Sequence, residues 1–209
     1  FDFQSLELLR RMKVENPSFT ERPELNPEYH TALYFEFDSA VPNAVIEEVD
    51  EKSTECWFSE GEHEIAALKS FRHAIPEAVN MLIGERGVMK LGTDMAVPDD
   101  RLEDVMQMYH SGLIDAGLEY VIFGHIGNNH VHVNTIPRSM AEYEQGKALY
   151  LEWAKQVVEW GGSVSAEHGI GKNKTEFLKL KAGEEGLADM QRLKSVFDPS
   201  CWVNSGNLF

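Results

Sequence analysis

Four of the eight histidines of this 209-residue chain fall in two short segments. The first is Gly124-His125-Ile126-Gly127-Asn128-Asn129-His130-Val131-His132-Val133-Asn134, and the second is Ala166-Glu167-His168-Gly169. Side chains alternate along a strand, so His130, His132 and Asn134 share one face while Val131 and Val133 share the other. On the preceding strand Val121, Phe123 and His125 share a face. A turn centred on Gly127-Asn128-Asn129 lets His125 and His132 approach across a hairpin, as two ligands of one divalent ion must. Two imidazoles make half a metal site, and a carboxylate has to come from elsewhere. Glu167 is the natural donor, because the glycines at both ends of Gly161-Gly162-Ser163-Val164-Ser165-Ala166-Glu167-His168-Gly169-Ile170-Gly171 permit close turns that expose neighbouring polar groups. A His₂Glu set with open positions suits Zn²⁺ or another first-row ion such as Mn²⁺, acting as a Lewis acid on a substrate oxygen. His168, beside the ligand but pointing differently, is placed to serve as general base. His130 sits so near the turn that it reads as facing water. His30, His63, His73 and His110 have no partner pattern and read as structural.

The elements that must hold these residues mix two periodicities. Residues 31–38, Thr54 to Ser59, Met89 to Val97, Glu119 to His125 and His130 to Ile136 read as strands. Helical patterns run through Ala44, Val45 and Val49, from Glu62 to Glu85, from Pro98 through Leu102 and Val105, and from Met140 to Trp160; Pro76 should bend or break the second of these. The order β-α-β-β-α over residues 89–160 is close to a ferredoxin-like unit, and residues 31–85 read as a shorter β-α-β-α copy. Hairpins argue for an antiparallel sheet with helices packed on one face, an α+β domain.

With 35 acidic against 19 basic side chains the formal net charge is -16, which disfavours binding to nucleic acid or to an anionic bilayer. No apolar run approaches the roughly 20 residues of a spanning helix, and Phe1-Asp2-Phe3-Gln4 is neither a signal nor a transit peptide. Cys56 and Cys201 are too few for a disulfide scaffold; both read as free buried thiols of a reducing compartment, hence a cytoplasmic location, with peripheral membrane attachment open to a longer protein. No glycine-rich phosphate cradle of the dinucleotide or P-loop type occurs.

Three ordered motifs resemble the C-terminal substrate domain of FAD-linked oxidases of the vanillyl-alcohol-oxidase type, the group that holds D-lactate dehydrogenases, glycolate oxidase and D-2-hydroxyglutarate dehydrogenase. They are His125, His132 and Asn134; then Ser163, Glu167, His168, Gly169 and Gly171; then Phe197-Asp198-Pro199 with Asn204-Ser205-Gly206-Asn207. Phe71-Arg72-His73 and Thr93-Asp94-Met95-Ala96-Val97-Pro98 correspond more weakly, so the likeness covers most of the chain. It implies His125, His132 and Glu167 as metal ligands, and His168 as the base that removes a hydroxyl proton while a hydride passes from C2 to the flavin. Arg72 is implied as a clamp on the substrate carboxylate, a role its planar fork suits, with Lys90 assisting. Asn134 is implied to face substrate and flavin, and Asn204 the flavin. The whole chain then reads as a single substrate and cap domain, with FAD bound mainly by an N-terminal domain not present in it, so that this piece alone should not turn over. Partners implied are a small 2-hydroxyacid such as D-lactate or glycolate, an acceptor protein or quinone, and a second copy in a homodimer. Two departures stand out. The family's Asp-Gly-Asn turn is Asn128-Asn129-His130 here, which removes an acid and adds an imidazole, and its terminal Asn-Pro-Gly-Lys is Asn204-Ser205-Gly206-Asn207. These departures keep open one rival, a metal-binding or interaction module that no longer catalyses; a second, a metal-dependent hydrolase using His₂Glu and a bound water, has no further carboxylate obviously placed as its general base.

Overall fold

The computed structural model describes residues 1–20, 23–37 and 41–208. The helices are α1 (Phe3–Glu15), α2 (Asn43–Lys52), α3 (Glu62–Arg86), α4 (Leu102–Ala116), α5 (Met140–Glu159) and α6 (Thr175–Phe197), and the strands are β1 (Leu91–Gly92), β2 (Tyr120–His125) and β3 (His130–Thr135). The class is α+β, as the mixed periodicity predicts. Two compact units divide the chain, Phe1–Glu85 and Arg86–Phe209.

The first unit is helical. Asp2 caps α1 by accepting from the Ser5 N–H at 2.9 Å, and Leu6, Leu9 and Met12 recur on the face it buries. Along α3 the buried residues Phe71, Ala74, Ile75, Ala78, Val79 and Leu82 stand three or four apart. Pro76 lies inside that helix without ending it: the apolar stripe is buried on both sides of the proline, and its packing outweighs one lost backbone hydrogen bond. Neither expected strand of this unit forms. Residues 31–37 and 54–59 run outside any ladder, and Asp38 falls outside the described residues. Alternation and β-branched or aromatic content mark a surface that fits a sheet, but they supply no partner strand. Among the described residues the expected β-α-β-α copy is therefore not there, whereas α1 and α6 form in addition to the expected helices.

The second unit carries the expected β-α-β-β-α order. Its antiparallel sheet runs β1-β3-β2, with Leu91 opposite Thr135 and Gly92 opposite Asn134, and with Phe123 opposite His132 and His125 opposite His130. Ile122, Val131 and Val133 form the core with Val105, Tyr109 and Leu113 of α4 and Tyr150, Trp153, Ala154 and Val157 of α5. The helices thus cover one sheet face, and alternation leaves His130, His132 and Asn134 on the other. The Tyr150 hydroxyl accepts from the Thr135 N–H at 3.2 Å and lies 2.8 Å from the Val133 carbonyl oxygen, which pins α5 to β3.

The expected Met89–Val97 strand shrinks to two residues, yet its chain continues beside β3. Thr93 N–H donates to the Val133 carbonyl at 2.9 Å, and Val97 N–H to the Asn129 carbonyl at 3.2 Å. On its other side Ala96 and Ser163 exchange both backbone hydrogen bonds, at 2.8 and 3.0 Å, and Ala166 N–H donates to the Asp94 carbonyl. Residues 93–97 are therefore a spine between the histidine strand and the glycine-rich segment. Gly162 permits this approach, since a Cβ there would stand 2.5 Å from the Ala96 carbonyl oxygen. Both cysteines are free, but neither is buried, and Cys201 is exposed, because it stands in the turns after α6. No described helix is long and apolar enough to cross a membrane.

Candidate metal and substrate site

The hairpin turn is one element longer than the glycine and asparagines suggest. Ile126–Asn128 form a 3-10 turn, and Asn129 takes the left-handed conformation (φ 49°) that asparagine tolerates. His125 consequently pairs with His130, and His132 is its diagonal neighbour. All three rings gather on one face: centroids are 6.0 Å apart for His125 and His130, 6.4 Å for His125 and His132, and 4.3 Å for His130 and His132. His130 does not face water. Its side chain is 7% exposed, because the Asp94 spine closes over the strand at this point.

Glu167 meets these rings from the glycine-rich segment. Its Oε1 is 3.6 Å from His125 Nε2; its Oε2 is 3.5 Å from His132 Nε2, 3.7 Å from His168 Nε2 and 3.9 Å from His130 Nδ1. A charge-assisted N–H···O hydrogen bond closes to roughly 2.7–2.9 Å, whereas two donors each about 2.0–2.1 Å from one tetrahedral Zn²⁺ stand roughly 3.4 Å apart. The spacings match the edges of a coordination shell better than they match hydrogen bonds. His132 is also oriented for coordination. Its Nδ1 lies 2.8 Å from the Thr93 carbonyl oxygen, which only accepts, so Nδ1 carries the proton and Nε2 keeps its lone pair toward Glu167. The donor set therefore fits a divalent ion, with both His125 and Glu167 about half exposed and open to a ligand.

The residues within 4.8 Å of one another also include a second set, Asp94, His132 and His168. Asp94 is already engaged. Its Oδ1 accepts from His130 Nε2 and from Glu167 N–H, both at 3.1 Å, and its Oδ2 accepts from the Lys174 ammonium at 2.8 Å, the Ser165 hydroxyl at 2.9 Å and the His168 N–H at 3.0 Å. Five donors exceed the four lone-pair sites a carboxylate offers, which leaves none for a metal. Burial by itself would raise the Asp94 pKa, but Lys174, His168 N–H and Ser165 more than offset this and hold the carboxyl well below the usual carboxylate range. Asp94 is thus a fixed, ionised strut that aims the backbone of Glu167 and His168. Burial and the neighbouring His132 push the His130 imidazole below its ordinary pKa, against the pull of Asp94 and Glu167.

Sequence reasoning missed Asp94 and Lys174 as site residues. The available signal was an acid within an apolar run, Leu91 to Val97, where an unpaired charge is costly. Of the other expected residues, Asn134 is buried, and its Nδ2 has no acceptor among the described residues. Gly92 stands opposite it, and a Cβ there would approach Asn134 Oδ1 to 3.0 Å. Lys90 is exposed just before β1, and the protein around it lowers its ammonium pKa by desolvation. Asn204 is exposed, in a left-handed turn after α6. Arg72 lies on α3 in the first unit, with its guanidinium carbon 5.9 Å from the centre of the Tyr34 ring. His168 is largely exposed, with only its backbone tied to Asp94.

Residues 2–208 match the family model described as FAD linked oxidases, C-terminal domain. Glycolate oxidase subunit GlcD of Bacillus subtilis (strain 168) is 29% identical over 118 residues, which is 56% of this chain and 25% of that protein. D-lactate dehydrogenase of Anaerostipes hadrus is 28% identical over 172 residues, 78% of this chain and 36% of that protein. The mitochondrial D-2-hydroxyglutarate dehydrogenase of Danio rerio is 28% identical over 210 residues, 94% of this chain and 36% of that protein. The chain spans between a quarter and about a third of the length of these relatives.

Proposed function

Because the chain belongs to the family of FAD linked oxidases, C-terminal domain, we propose that it is the substrate- and metal-binding part of an FAD-dependent dehydrogenase of small 2-hydroxyacids such as D-lactate or glycolate. The observation that carries this reading is the Glu167 carboxylate set among imidazole nitrogens at 3.5–3.9 Å, at a rim open to a ligand. His125, His132 and Glu167 would hold a divalent ion, Zn²⁺ or Mn²⁺, which would supply positive charge to polarise the hydroxyl and carboxylate oxygens of the acid. In a chain of net charge -16 that local charge is what an anionic substrate requires.

His168 takes the hydroxyl proton. Its ring is exposed, and its backbone is fixed by Asp94, so the imidazole can reach a bound hydroxyl while its anchor does not move. FAD, when bound, would supply the acceptor for the hydride from C2, so that loss of proton and hydride together would convert the 2-hydroxyacid to a 2-oxoacid. Asn134 offers its unpaired Nδ2–H to substrate or flavin, a contact that offsets the roughly 1–3 kcal/mol cost of a buried donor without a partner. Lys90 steadies the substrate carboxylate, and Asn204 faces the flavin. An acceptor protein or a quinone would take up the electrons, and a homodimer and a cytoplasmic site of action complete the proposal.

The test is made on the full-length protein. Glu167→Ala and His168→Ala are assayed for flavin reduction by D-lactate, glycolate and D-2-hydroxyglutarate. Both variants should keep bound flavin, Glu167→Ala should lose metal and turnover together, and His168→Ala should keep the metal and lose turnover by about 10²–10⁴-fold. Retention of both metal and wild-type turnover by Glu167→Ala would remove the core of the proposal, and a full-length protein without flavin would favour a non-catalytic metal-binding module.

A further inference from the structure

His130 is a buried imidazole whose two nitrogens face different partners. Its Nε2 lies 3.1 Å from Asp94 Oδ1, and Asp94 is itself held by Glu167 N–H, His168 N–H, Ser165 and Lys174, so the ring's partner is fixed in place. Asp94 already accepts from four other donors, so the His130 contact is another N–H donated to it, which places the His130 proton on Nε2 and leaves a lone pair on Nδ1. The Nδ1 atom projects away from Asp94 toward Glu167 Oε2 at 3.9 Å, beyond a hydrogen bond and close to the spacings of His132 and His125. The ring centre of His130 is 4.3 Å from that of His132, nearer than His125 stands to either. The Asp94–His130 pair has the form by which proteins orient a metal-binding imidazole, with a carboxylate behind the ring and the free nitrogen in front.

We infer that His130 supplies Nδ1 as a further ligand to the ion held by His125, His132 and Glu167, so that this site offers three imidazoles and one carboxylate. The inference rests on the metal reading of the other three residues. A His₃Glu set has fewer open positions than His₂Glu and favours a first-row transition ion that accepts nitrogen donors over Mg²⁺ or Ca²⁺.

The test counts imidazoles directly, by X-ray absorption on the full-length protein loaded with one equivalent of Zn²⁺, and measures Zn²⁺ affinity by chelator competition. Three imidazoles are expected in the wild type, two in His130→Asn and three in His168→Asn, with affinity weakened about 10-fold or more in His130→Asn. Two imidazoles in the wild type, or three in His130→Asn, overturn the inference, as does a third imidazole that disappears in His168→Asn. Should His130→Asn not fold, the wild-type count beside His168→Asn still decides. Failure of the wild type to bind Zn²⁺ overturns the parent site as well. Zn²⁺ bound through two imidazoles and lost in Glu167→Ala overturns the His130 assignment alone.

Discussion

The floor of the site around Asp94 and its rim around Glu167 each hold one carboxylate in opposite states. Asp94 has a side chain 1% exposed and accepts from five donors, one of them an ammonium. Glu167 is 47% exposed and has four imidazole nitrogens near it, none within ordinary hydrogen-bond distance. The floor is saturated and so is structural, while the rim is unsatisfied and so can take a ligand. The two are coupled through the backbone, because Asp94 holds the N–H groups of Glu167 and His168. Fixing the rim's chain while leaving its side chains open is what a preorganised site requires.

Substitutions at the floor and the rim should separate cleanly. Asp94→Ala strands the Lys174 ammonium and four further donors, and should cost about 3–5 kcal/mol in urea unfolding; a loss under about 1 kcal/mol would break the distinction between floor and rim. Gly124→Ala comes next. A Cβ there would stand 2.5 Å from the His130 carbonyl oxygen and 2.8 Å from Val131 Cα, so β2 must move off β3. A destabilisation of about 1–3 kcal/mol is expected, together with displacement of His125 visible as weakened Zn²⁺ binding. Acid sharpens the contrast. Asp94 is depressed from its ordinary value of 3.8 in the folded protein, so its stabilisation is complete above that pH and is lost as pH falls through the folded pKa. The stability difference between wild type and Asp94→Asn should be flat from about pH 7 to 5 and shrink by about 1.4 kcal/mol per pH unit below 3.8. The smallest effect is at the rim: Glu167→Gln should leave stability without metal unchanged within about 0.5 kcal/mol.

The rim was legible in the sequence, and the floor was not. His125, His132, Glu167 and His168 are polar residues clustered in two short segments beside glycines, and alternation alone places His132 on the face away from Val131 and Val133. Asp94 and Lys174 are joined across 80 residues, with no periodic pattern to link them. His130 does not face water because residues 93–97 close over it, a cover that no local pattern announces, and the 3-10 turn sets His130 opposite His125 with His132 as the diagonal neighbour. The same limit explains the first unit. Residues 31–37 and β3 both alternate, but β3 has β1 and β2 beside it and residues 31–37 lie in no ladder. Local pattern reports which residues fit a strand, and only tertiary placement decides whether there is one.

Metal content tests the central claim most directly. Full-length wild type and Glu167→Gln, purified side by side without added metal, are analysed for zinc and manganese per chain after folding has been checked by circular dichroism. One divalent ion per wild-type chain and a small fraction of that in an equally folded Glu167→Gln is the predicted result. Equal occupancy in the two proteins, or a wild type that neither carries nor takes up a stoichiometric ion, would contradict it.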